Sequence, residues 1–168
     1  MKTFLLIILL CGISILCMSQ SFVSVDTLDN SNVHIITDDF EGVIFNPNSN
    51  SYYVDSSETK WMPTIEDVLL CDNIIRKYVN KKESNVAVVL GDSPIISENF
   101  DKFVRQYMGY VDNHGRKKMY VKFVWKEAAE NDDFPWLEHF VGAIGGGTYF
   151  WGIKVDLKRK KCYDFMMD

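Results

Sequence analysis

The sequence predicts an α+β fold, with one amphipathic helix packed on a curved antiparallel sheet and a small N-terminal hairpin. Three observations predict it. Apolar residues between Trp61 and Lys82 recur at the spacing of one helix face. Between Arg105 and Trp125 they alternate instead at the two-residue strand period around a turn, and the pattern returns between Thr148 and Met167. Strands in runs beside a single helix point to α+β and not to an alternating βαβ order.

The chain opens on "MKTFLLIILLCGISILCMSQSF", in which Lys2 precedes an apolar run that closes on Ser19, Gln20 and Ser21. That is the layout of a secretory signal peptide. The run is shorter than the ~20 apolar residues a membrane span needs, and no basic stop follows it. Residues 1–19 are therefore expected to be cleaved near Ser19, giving a secreted or periplasmic protein without stable membrane insertion. Leu10 and Leu16 precede Cys11 and Cys17, where lipid attachment takes a small residue, so a lipoprotein anchor is not expected. Residues 20–32, rich in Ser, Asp, Thr and Asn, read as a flexible linker, and residues 33–168 as one α+β domain.

"VHIIT" begins the ordered part, and "GVIFNPNSNSYYV" reads as a hairpin around Asn46–Asn50. The helix follows. Thr64 is its N-cap and Asp67 stands at the third helical position, while Ile65, Val68, Leu69, Cys71, Ile75, Tyr78 and Val79 form the apolar stripe, widened by Leu70 and Ile74. "VAVVL" (86–90) is a short strand, and "ENFDKF" a helical turn or loop. Asp112 to Gly115 supply the turn of the clearest hairpin. On its return strand Met119, Val121, Phe123 and Trp125 alternate with Lys118, Tyr120 and Lys122, which predicts one buried and one wet face. A long acidic connection, 127–140, precedes two last strands joined by a basic turn.

Chemistry is sparse. The 18 basic residues stand against 23 acidic ones, a balance that argues against nucleic acid. The cluster from Lys158 to Lys161 reads as a solvated hairpin loop. Gly145, Gly146 and Gly147 precede a strand-like block with no helix and no following Lys, so they are read as a turn or bulge and not as a phosphate loop. His34, His114 and His139 lack metal-ligand spacing, and no cofactor, metal site or catalytic residue is assigned. Cys71 and Cys162 admit one disulfide, with two buried thiols as the other reading.

Aromatic residues remain. Tyr107, Tyr110, Phe134 and Trp136, with Glu138 and His139 beside them, form the candidate binding surface, since Tyr and Trp are enriched where proteins meet. Filling of the core by the same rings is the competing reading. The function this favours is an exported, non-enzymatic protein-binding module of the inhibitor or immunity type, partnered by another protein. The alternative is a small pocket protein that binds a ligand or carries out hydrolase or isomerase chemistry, with Asp72 or His139 at the base of a pocket between helix and sheet.

Three stretches, "WMPTIEDVLLCDNIIRKYV", "VRQYMGYVDNHGRKKMYVKFVW" and "GGGTYFWGIKVDLKRKKCYDF", together resemble small secreted proteins of Bacteroidales-type bacteria. The helix cradled by a sheet also resembles the cystatin-like fold. The Gln-x-Val-x-Gly loop of cystatins is absent, and "AIGGGTYF" does not supply it. The resemblance implies export and an architecture, and it transfers no catalytic residue.

Overall fold

The computed structural model describes residues 23–51, 54–55, 57–81, 94–131 and 134–168. The signal-like block, the start of the linker and "VAVVL" lie outside the described residues. Within the stretch read as a linker, Val23–Thr27 forms strand β1. It is followed by β2 (Val33–Thr37), β3 (Glu41–Ile44) and β4 (Thr59–Trp61). Helix α1 (Ile65–Val79) comes next, then β5 (Phe103–Val111), β6 (Lys117–Trp125), a four-residue helix α2 (Lys126–Ala129), β7 (Phe150–Asp156) and β8 (Lys161–Met167).

These strands make one eight-stranded sheet in the order β1-β2-β3-β5-β6-β7-β8, with β4 also on β5. The predicted fold class is thereby corrected: the described structure is mostly sheet, the sheet is mixed, and α1 is a 15-residue element beside it. The mixing arises on one flank of β5. There β3 runs parallel, with Gly42 opposite Arg105, and β4 runs antiparallel, with Trp61 opposite Gly109. The small N-terminal hairpin is β2–β3, joined to the sheet on both sides and turning at Thr37–Phe40, not at Asn46.

Gly109 permits the β4 contact, because a Cβ there would lie 2.5 Å from the Trp61 carbonyl oxygen. In return the Trp61 indole N–H donates to the Tyr110 carbonyl at 3.0 Å. Gly115, at φ +72°, turns the chain between β5 and β6. The glycine triplet forms a turn before β7, and the irregularity in the last hairpin falls elsewhere, between Gly152 and Lys154.

Helix α1 begins as its sequence dictates. The Thr64 hydroxyl accepts from the Asp67 N–H at 3.3 Å, and the Asp67 carboxylate accepts from the Thr64 N–H at 3.1 Å. Val68, Cys71, Ile75 and Val79 are buried against the sheet, whereas Leu69 and Leu70, placed in the stripe by periodicity, are 36% exposed. This first core is closed by Phe103, Phe123 and Trp151, the last two stacked at 3.7 Å.

The second sheet face is not wet, which corrects the expectation drawn from β6. Tyr120 and Lys122 are fully buried and Lys118 nearly so. The segment after α2 lies over them as a strap. Trp136 and Val141 join Val104, Met108 and Tyr120 in a second core, and Phe140 packs against Phe45 and Tyr120. One side chain pins the strap. Gln106 donates to the carbonyls of Trp136 and His139 at 2.6 and 2.8 Å, and its oxygen accepts from the Val141 N–H at 3.0 Å. The buried cations of this face meet carboxylates: Lys118 pairs with Asp156, and Lys122 with Asp168.

Candidate functional site

The turn between β7 and β8 carries Lys158, Arg159, Lys160 and Lys161. Asp156 shapes it by accepting from the Arg159 N–H at 2.9 Å. Lys160 sits at φ +51°, a conformation that glycine or asparagine adopts at lower cost. A lysine held there is a local expense set against the charge it presents. The basic turn is exposed, and a hollow opens on each side of it.

Toward α1 lies a groove of about 640 Å³. Leu70, Ile74, Tyr78 and Cys162 give it apolar walls, and Lys77, Lys81, Lys160 and Lys161 surround them with no carboxylate among the described lining residues. Lys77 stands in the last turn of α1, where cations are favoured, and Lys81 follows just past its Asn80 cap. Toward the β5–β6 turn lies a cleft of about 370 Å³ on the strap side of the sheet. Five cations line it, Arg116, Lys118, Lys154, Arg159 and Lys161, against Glu58, Asp112 and Asp156. At its wall the hydroxyls of Tyr110 and Tyr163 share a hydrogen bond of 2.8 Å.

The cleft's ion pairs are firm near neutral pH. Partial desolvation opposes the Asp112 charge, but hydrogen bonds from the Arg116 and His114 N–H groups and the Arg116 guanidinium, with its charge, bring the carboxyl down to about 2. Its folded value lies below the ordinary 3.8, so the stabilisation is present above that value and is lost as pH falls through about 2. Asp156 also lies below its usual range, since hydrogen bonds and charge from Lys118 and Arg159 outweigh burial. Burial first, and then the shared bond with Tyr163, raises the Tyr110 phenol well above its usual range. Both hydroxyls of the pair therefore keep their protons.

Comparison with known proteins returns no family model, no curated protein and no solved structure that matches the chain. The likeness to cystatins rests on the expected helix cradled by an antiparallel sheet, and the sheet found is mixed.

The residues singled out from sequence separate into three places. Tyr107 and Tyr110 are buried in the two cores on opposite faces of the sheet, and Trp136 is 8% exposed beneath the strap. Phe134 is half-buried against Phe150. Only Glu138 and His139 of the set are exposed, beside a hollow with Leu28, Asp29 and Asn30. The rings chosen as a contact surface are packing residues: Tyr110, Phe134 and Trp136 fill the core under the strap, and Tyr107 the core under α1. Asp72, offered as the polar base of a pocket, is instead bound to the fully buried Arg105 at 2.7 Å, whose guanidinium lies over Phe40 and Phe100. Among the described residues no cluster of metal-ligating groups occurs.

Cys71 and Cys162 are buried free thiols in the same core. Burial raises the Cys71 thiol far above its ordinary value and pushes Cys162 up to about 12. Both are expected to resist alkylation at pH 8 in the folded chain and to react once guanidinium unfolds it. Mass mapping of the two positions reads this, and a bridge would be revealed if neither reacted after unfolding without reductant.

The missed features have a sequence signal only in part. "DLKRKKCY" was visible as a basic cluster, but its juxtaposition with Lys77 and Lys81 depends on α1 lying beside β8.

Proposed function

We propose that the chain is an exported protein-binding module that docks an acidic segment of a partner protein in the groove between α1 and the β7–β8 turn. The observation that carries this reading is the lining of that groove, with four lysines around apolar walls and no carboxylate among the described residues. On a chain of net charge −5 such a surface is a local reversal of sign. It suits a segment that offers an apolar side chain flanked by Asp or Glu. The signal-like first 19 residues support export. Leu70, exposed at the groove, supplies an apolar anchor that a partner would desolvate.

A photo-reactive residue at Leu70, in cells that naturally make the protein, is expected to yield an adduct of one defined mass. Reversing charge with Lys77→Glu and Lys160→Glu should weaken the interaction about tenfold or more, with the larger loss at low salt. An adduct of unchanged yield in the charge-reversed protein would reject the groove as the docking site.

A further inference from the structure

The cleft on the other side of the basic turn is a second site, separate in its lining from the groove except for the shared Lys161. We propose that it binds a small phosphomonoester. Its five cations exceed its three carboxylates by two, and the pairing shows where the surplus lies. Lys118 reaches both Asp156 and Asp112, Arg116 is bound to Asp112 at 2.8 Å, and Lys154 reaches Asp164 at 3.3 Å just outside the lining. Arg159 and Lys161 are left, with Glu58 the lining carboxylate that these pairs do not use. The Arg159 guanidinium comes no closer to Asp156 than 3.9 Å and is 66% exposed. Lys161 is exposed and has no side-chain partner among the described residues.

Arg159 and Lys161 offer two cationic groups to a phosphomonoester, which carries about two negative charges near neutral pH, with the carboxylate of Glu58 also in the lining. The planar guanidinium of Arg159 suits paired phosphate oxygens, and Lys161 adds a point charge. The tyrosine pair supplies a directional contact. Whichever hydroxyl accepts in the 2.8 Å bond retains its own proton to give to a ligand oxygen. Lys118, nearly buried with its ammonium 5.5 Å from the centre of the Tyr163 ring, fixes that wall of the cleft. A volume of about 370 Å³ is at the small end of ligand pockets, which limits the organic part to a compact group.

The test uses the whole folded chain, titrated with phenyl phosphate and with inorganic phosphate and followed by amide shifts and calorimetry. Saturable binding of phenyl phosphate is expected, with shifts at Tyr110, Lys118 and Tyr163. Arg159→Gln should weaken it about tenfold or more, and Tyr163→Phe by several-fold, as the loss of charge-assisted and neutral hydrogen bonds predicts. Lys77→Gln, which alters the groove alone, should leave it unchanged. Equal binding of inorganic phosphate would still place an oxyanion in the cleft but overturn the monoester. Wild-type affinity in Arg159→Gln, or equal losses in Lys77→Gln, would overturn the site. Neither outcome bears on partner capture at Leu70.

Discussion

Replacing Asp72 by alanine is expected to lower the unfolding free energy by about 3–5 kcal/mol, the loss that follows when one member of a buried ion pair is removed. Arg105 is 0% exposed and its Nε donates to Asp72 at 2.7 Å. The other guanidinium nitrogens already reach the carbonyls of Phe103 and Phe100, at 2.7 and 3.3 Å, so those acceptors cannot replace a carboxylate. The rings of Phe40, Phe100 and Phe123 crowd the guanidinium, which leaves the stranded charge little access to water. Burial raises the Asp72 carboxyl above its usual range even though Arg105 and Arg76 pull it down, so desolvation is the dominant expense at this site. Denaturant unfolding of Asp72→Ala measures the loss. The double change Asp72→Leu with Arg105→Met should recover most of it, because neither charge then remains. A loss under about 1 kcal/mol in the single variant would mean that Arg105 escapes to solvent.

The second large effect lies on the opposite sheet face. Asp168→Ala is expected to cost about 3–5 kcal/mol by depriving buried Lys122 of its carboxylate. Asp168 does more than balance charge. Its carboxylate accepts from the Ala143 N–H at 2.8 Å, and its backbone bonds Gly147 and Phe150 at 2.8 and 3.0 Å. The turn that carries the fully exposed Ile144 is thus braced from below. Burial lowers the Lys122 ammonium below its ordinary 10.5 although Asp168 opposes the shift. A lysine depressed on folding binds fewer protons than in the unfolded chain, so its penalty shrinks as pH rises toward 10.5. The variant's deficit should therefore narrow between pH 7 and 10, and Lys122→Met should rescue it. Faster amide exchange at Ala143 reads the loosened turn independently of global unfolding.

How much of this was legible beforehand can be judged residue by residue. The cap formed by Thr64 and Asp67, the β5–β6 turn at Asp112–Gly115 and the final hairpin around the basic turn are local features, and local chemistry spells them out. The β3–β5 pairing is different. Nothing near Gly42 states that it will lie beside Arg105, because parallel partners are chosen by the assembled fold. The same limit explains the misread face of β6. Lys118 and Lys122 look like a solvent-facing row until the strap and the carboxylates of Asp156 and Asp168 come from distant sequence to cover them. The aromatic surface failed for one reason as well. Trp136 and Tyr110 cannot show in sequence whether they face a partner or their own chain, and here they face their own chain. The basic half of the candidate site could be seen in "DLKRKKCY", whereas its walls could not.

Among the described residues the sheet's ladder ends at β1 and β8, and a sheet edge is where another chain could add and aggregate. On β8 the danger is blunted. Asp164 at φ +49° breaks the regular extension, and the register slips between Gly152 and Lys154. A foreign strand laid there meets a kinked template with Lys161 at its start and a carboxylate in its middle. On β1 the row is five residues long and carries Asp26. A protein with a hydrophobic core on both faces of its sheet thus keeps the rims short, bent or charged, and its solubility is defended where its stability is not at stake.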